Sequence, residues 1–137
     1  MHIEINNSTI LKDIQKTFSD YYPFLSLSFY KSTHKKYEAS NVFDTIDTNN
    51  KVGEIRKTHI STLIDLQPKN TVAQVEKEFQ ERIGISVQIL KKENNHWEQS
   101  TGLDNLTLKD LNIMGRNASD EFVIEDEDEE FETEEEI

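Results

Sequence analysis

One pattern of apolar residues occurs twice along this 137-residue chain, and this repetition limits the possible folds more than any single motif. Each occurrence opens with alternating apolar residues, which indicate a half-buried strand. Apolar residues with helical spacing follow, and then a second alternating segment. The occurrences are related by offsets of 61, 60 and then 56 residues, as in the pairs Ile3 and Ile64, Leu11 and Val72, Phe18 and Phe79, Leu27 and Val87, and Ile55 and Leu111. The sequence therefore predicts two tandem βαββα units.

The ends of the predicted elements also correspond between the two units. Pro23 and Gly84 end the long helices at matching places, and Thr71 with Gln74 resembles a capping box at the start of the second one. A polar loop then leads to the short segments YEAS and WEQS, which we predict as matching third strands. We assign residues 1–58 to the first unit and residues 63–116 to the second.

The predicted units imply an α+β protein. A strand–helix–strand crossover normally makes its two strands parallel, whereas the third strand follows a short loop and pairs antiparallel. We therefore expect one or two mixed sheets with helices on one face. A unit of about 55 residues is marginal alone, so we expect the two to share one compact body. A ferredoxin-like βαββαβ order is the alternative, in which residues 63–66 supply a strand to the first unit.

The charge of the chain is concentrated at its end. Residues 119–137 contain twelve acidic residues and no Lys or Arg, whereas the rest contains equal numbers of acidic and basic residues. A run of like charges repels itself and buries too little apolar surface to fold alone. We therefore predict a disordered acidic tail at residues 117–137.

Several segments carry a resemblance to a known family. The run TVAQVEKEFQERIGISVQILKKENNHWEQST, the segment TLKDLN, and the first-half segments FYKSTHKK and VGEIRK resemble a family of small acidic Bacteroidetes proteins of unassigned function. The resemblance implies a bacterial, cytoplasmic, folded domain. It implies no catalytic residue.

Residues with catalytic or metal-binding potential do not form a known motif. The chain has no cysteine, its four histidines lack metal-site spacing, and its four glycines cannot form a phosphate-binding loop. The segment from Asp44 to Asn50 resembles a calcium loop only faintly, because Lys51 stands at a ligand place. We therefore expect no enzyme activity, no metal and no cofactor.

Basic and aromatic residues are interleaved in the loop after the second predicted strand of each unit. They are Lys31, His34, Lys35, Lys36 and Tyr37 in the first unit, and Lys91, Lys92, His96 and Trp97 in the second. Such residues can bind phosphates and stack on bases. Because the body is neutral overall and the tail competes for basic groups, we expect no direct nucleic-acid binding. Lysines at the ends of exposed strands also serve to prevent aggregation.

The tail supplies the candidate binding residues. They are Phe122, Val123, Ile124, Glu125, Asp126, Glu127, Asp128 and Phe131. A short β-prone run followed by acids could pair with the sheet edge of a basic partner. The leading hypothesis is a non-enzymatic, intracellular interaction module that presents this tail to a basic protein. The alternative is a regulator that mimics nucleic acid and occupies a nucleic-acid-binding protein.

Overall fold

The computed structural model describes residues 1–31 and 44–119 of the chain. These residues contain four helices and five strands. The elements are β1 (His2–Asn6), α1 (Leu11–Tyr21), β2 (Leu25–Tyr30), α2 (Val52–Ile55), β3 (Ser61–Asp65), α3 (Val72–Ile83), β4 (Ser86–Glu93), β5 (His96–Gln99) and α4 (Leu108–Asn117). The protein has an α+β fold, as the sequence predicts.

The strands form two antiparallel sheets, and both join the two halves of the chain. β1 pairs with β3, and β2 pairs with β4, which also carries β5 on its other side. The predicted parallel pairing of β1 with β2 is wrong, because these strands belong to different sheets. The ferredoxin-like alternative is also wrong, since β3 pairs with β1 in a separate two-stranded sheet. Each half buries its strands against the other half, which avoids the poor burial of a 55-residue unit.

Local sequence signals explain where the long helix α3 begins and ends. Thr71 accepts a hydrogen bond from the Gln74 amide at 3.2 Å, and Gln74 Oε1 accepts from the Thr71 amide at 2.8 Å. This is the predicted capping box, and it satisfies amides that the helix leaves free. Gly84 ends α3 with a φ of 68°, a left-handed conformation that glycine adopts without strain.

Several backbone contacts recur in the two halves at the offsets of the sequence pattern. The Leu11 amide donates to the Asn50 carbonyl at 3.0 Å, and the Val72 amide donates to the Leu106 carbonyl at 2.9 Å. The return contacts, Val52 to Thr9 and Leu108 to Asn70, are 2.8 and 2.9 Å long. These contacts fix the start of each closing helix beside the start of the long helix. The duplication itself stays a prediction, and the segment YEAS lies outside the described residues.

The halves differ after β2. In the second half, Leu90 of β4 lies opposite Gln99 of β5. An offset of 60 would place position 39 opposite Tyr30, the counterpart of Leu90. The residue that Tyr30 pairs with is Thr45, six positions later. The first closing helix, α2, has a single turn, whereas α4 continues for ten residues. The apolar faces of both halves nevertheless meet in one hydrophobic core, in which Phe18, Phe29 and Phe79 are fully buried.

Candidate interaction surfaces

The last described residues, Ala118 and Ser119, are fixed to the body. Ser119 is fully buried, and its hydroxyl donates to the Gly115 carbonyl at 2.9 Å. The Asn94 amide, in the turn between β4 and β5, donates to the Ala118 carbonyl at 2.9 Å. Ala118 and Ser119 are therefore packed against the body, and the predicted start of the tail at residue 117 stays a prediction. The predicted tail residues, from Phe122 to Phe131, lie outside the described residues.

Lys31 and Lys91, one described lysine from each predicted cluster, lie at opposite ends of the larger sheet. Lys31 directly follows β2, whereas Lys91 lies opposite Leu25 at the beginning of that strand. Six paired residues separate the two lysines, which corresponds to about 20 Å at ~3.3 Å per residue. His34, Lys35, Lys36 and Tyr37 lie outside the described residues. The fold does not bring Lys31 and Lys91 together into one phosphate-binding patch.

Lys91 is engaged by a neighbouring carboxylate. Its side chain is only 12% exposed, and its ammonium group donates to Glu93. The hydrogen bond from Lys91, together with its charge, lowers the pKa of Glu93 below the usual range. Trp97 lies opposite Lys92 on the edge strand β5 and is 44% exposed. Trp97 is therefore the accessible aromatic member of the second predicted cluster.

A groove between the two halves was not predicted from the sequence. Its walls are the end of β2 at Tyr30 and Lys31, residues 54–56 of α2 and its C-cap, and residues 84–85 after α3, and its volume is about 340 Å³. We call it the α2 groove. Ile55 is only partly buried and supplies apolar surface to the groove, whereas Ile85 is almost fully buried and exposes little.

The charged residues of the α2 groove are mainly basic. Lys31 and Arg56 are exposed, and neither forms an ion pair within the described residues. The Arg56 guanidinium lies over Gly84, because a Cβ placed on Gly84 would be 2.8 Å from Arg56 Cζ. The nearby Glu54 carboxylate is already engaged, since it accepts from the Lys51 amide at 2.6 Å. The groove thus combines a small apolar floor with two cations that have no ion-pair partner among the described residues.

The corresponding space in the second half is filled by α4. Asn112, the counterpart of Arg56, accepts a hydrogen bond from the Phe24 amide at 2.9 Å. Gly115, one turn further along, is so close that an added Cβ would lie 2.8 Å from the Phe24 carbonyl oxygen and 3.4 Å from Lys91 Cγ. Within the described ranges no segment fills the α2 groove, because α2 ends after one turn. The sequence feature that would have indicated this groove is the difference in length between the two closing helices.

The described residues show no arrangement that indicates catalysis or metal binding. They contain no group of three or more His, Asp or Glu side chains placed to hold a metal ion. His96 contacts Glu98 at 2.8 Å, and His2 lies 3.4 Å from Asp65, but both contacts lie at the surface. Among the helices of the described ranges, none is long and apolar enough to cross a membrane.

Comparison with known proteins does not identify a family. No protein-family model matches this chain, and neither the curated proteins nor the solved structures provide a match. The resemblance to small acidic Bacteroidetes proteins stays an expectation from the sequence.

Proposed function

We propose that this protein is a non-enzymatic, intracellular interaction module whose folded body presents the acidic tail to a basic protein partner. The observation that carries the proposal is the separation of charge. All twelve excess negative charges follow Ala118, whereas the residues before Ser119 are formally neutral. A mobile partner with a basic surface would therefore meet the tail first, because opposite charges accelerate encounter.

The anchoring of the tail supports the proposal. Ser119 is buried and Ala118 is hydrogen-bonded to the turn at Asn94, so the acidic segment begins at a defined place on the surface. Binding through the tail then positions the partner next to β5, where Trp97 is exposed. The apolar residues Phe122, Val123, Ile124 and Phe131 would supply contacts that charge alone does not provide.

The experiment compares three full-length baits in native lysate across a salt series. They are the unchanged chain, the tail variant E125Q/D126N/E127Q/D128N, and the control variant E4Q/D13N/D20N/E81Q, which removes the same charge from exposed positions of the body away from β5. We expect a basic protein that the unchanged chain and the control retain, that the tail variant loses, and that salt releases, because screening weakens exposed charge pairs. Equal retention by all three baits would contradict the proposal.

Competition distinguishes the nucleic-acid-mimicking alternative. If the tail imitates phosphate charge, duplex DNA or RNA should displace the captured protein from the bait. Displacement would favour a regulator of a nucleic-acid-binding protein. A partner that remains bound would favour an ordinary protein contact.

A further inference from the structure

The geometry points to the α2 groove as a docking site for the acidic tail of the same chain, with Phe131 on its apolar floor and the adjacent carboxylates on Lys31 and Arg56. The inference rests on the proposed role of the tail as a binding element. It adds a second occupant for the tail, the body itself, which a basic partner would have to displace.

The first argument is the contrast between the two halves. In the second half, α4 contacts Phe24 and Lys91 through Asn112 and Gly115. In the first half, α2 ends after a single turn, and no other described segment covers the matching surface beside Lys31. The fold therefore already contains one peptide segment packed in this position, and the volume of about 340 Å³ can accept an aromatic side chain.

The second argument is charge and residue type. Lys31 and Arg56 face the groove without ion-pair partners among the described residues, while Glu54 is held by the Lys51 amide. The tail places Phe131 between carboxylates in the segment EEFE. Guanidinium and ammonium groups bind carboxylates by charge-assisted hydrogen bonds. An aromatic residue flanked by acids thus matches an apolar floor flanked by cations.

The third argument is reach. The tail begins beside Asn94, at the far end of β4 from Ile85. The eight residues of β4 span about 26 Å at ~3.3 Å per residue. Phe131 is twelve residues beyond Ser119, which allows up to about 40 Å of extended chain at ~3.3 Å per residue. Phe122, only three residues beyond Ser119, reaches roughly 10 Å by the same measure and is too close to its anchor.

Because the tail is covalently attached to the body, even a weak contact between them can be populated. A short flexible connection gives an attached segment an effective concentration in the millimolar range. A modest apolar contact with two exposed charge pairs can therefore be populated in the intact chain. The contact should weaken with salt, because its charge pairs lie at the surface.

The test uses a spin label, for which the absence of cysteine is an advantage. In the full-length variant T133C carrying a nitroxide, we expect the amide NMR signals of Arg56 and Gly84 to lose intensity, while that of Lys16 on the exposed face of α1 keeps it. The further substitution F131S should restore the lost signals, whereas the matched substitution F122S should not. Unchanged signals at Arg56 and Gly84, or equal effects of both substitutions, would overturn the inference.

Two further measurements complete the test. The double variant K31Q/R56Q should restore the signals, and the control K12Q/K109Q, which removes two exposed charges elsewhere, should leave them weakened. A mixture of isotope-labelled chain without nitroxide and unlabelled chain with nitroxide should show no loss. Loss in that mixture would assign the groove to a second copy and overturn docking within one chain.

The two proposals can fail separately. Tail-dependent capture of a basic protein without signal loss at Arg56 would leave the proposed function standing and remove the docking site. Signal loss at Arg56 without a captured partner would do the reverse, because the tail would then bind only its own body.

Discussion

Ile3 lies directly opposite Ile64 in the pairing of β1 with β3, and both side chains are buried. These residues are counterparts in the sequence pattern, 61 positions apart. In the larger sheet, Ser28 lies opposite Gln88, which is its counterpart at an offset of 60. Each antiparallel pairing thus places one pair of matching residues directly opposite each other, as expected for two units related by an approximate twofold axis. Each half supplies one strand to the other's sheet, so we expect the body to unfold as one cooperative unit.

The β1–β3 register can be tested by substituting adjacent residues. Ile64 is fully buried, whereas Leu63 in the same strand is 47% exposed. Ile64→Ala should lower the free energy of unfolding by about 2–5 kcal/mol, because it removes buried methyl groups and leaves a cavity. Leu63→Ala should cost within about 1 kcal/mol, as exposed positions usually do. Urea unfolding of the two variants measures the difference, and similar costs would contradict the alternation of faces.

The close contact of α4 with β2 can be tested at Gly115. Alanine normally favours a helix by about 1 kcal/mol over glycine. Here the added Cβ would lie 2.8 Å from the Phe24 carbonyl oxygen, a backbone atom that cannot rotate away. Gly115→Ala should therefore destabilise the protein, by about 1–3 kcal/mol as overpacked sites do. The neighbouring exposed residue provides the control, since Met114→Ala should be nearly neutral; a stabilising effect of Gly115→Ala would show that α4 packs less tightly.

Two substitutions of Thr71, the N-cap of α3, should lower the free energy of unfolding by different amounts. The Thr71 hydroxyl accepts from the Gln74 amide, and Thr107 accepts from the Asp110 amide in the same way at α4. Thr71→Ala should cost about 1 kcal/mol, because the amide loses its acceptor. Thr71→Ser should retain most of the stability. Thermal or urea unfolding distinguishes these outcomes, and an equal loss for Ser and Ala would mean that the hydroxyl does not act as the cap.

Because Tyr22 is buried, we expect the free energy of unfolding to fall at high pH. Its side chain is 4% exposed, its hydroxyl has no hydrogen-bond partner in the described part of the chain, and burial raises its pKa to about 12. The pKa in the unfolded chain is near 10. Since the folded state holds this proton more tightly, the stabilisation is complete below pH 10 and is lost as the pH rises towards 12.

The measurement is urea unfolding of Tyr22→Phe and of the control Tyr21→Phe between neutral pH and pH 11. At neutral pH, Tyr22→Phe should change the stability by less than about 1 kcal/mol, because the buried hydroxyl contributes no hydrogen bond. Above pH 10 it should lose less stability than the unchanged protein. If the exposed Tyr21 gave the same protection, the effect would not come from burial of Tyr22.

The local structure followed closely from the residues. The stripe of Leu11, Ile14 and Phe18 predicted α1, and the alternation of Ile3 and Ile5 predicted β1, because periodicity records which side of an element faces the core. Gly84 and the cap at Thr71 marked the helix ends for reasons that need no tertiary contact. The function had no such local signal, since no catalytic motif is present and the candidate tail is defined by charge alone.

The partners of the strands could not be read in the same way. The hydrophobic pattern indicates that one face of β1 is buried. It does not indicate whether β2 or β3 pairs with β1, because either strand would satisfy the hydrogen bonds of the β1 backbone. The actual partner, β3, is fixed by burial of both halves in one core. For the same reason, the distance between Lys31 and Lys91 and the existence of the α2 groove depend on the antiparallel pairing and on the early end of α2. The sequence by itself determined the elements, their caps and the segregation of charge, which are local properties; only the tertiary structure decided which surfaces those elements place together.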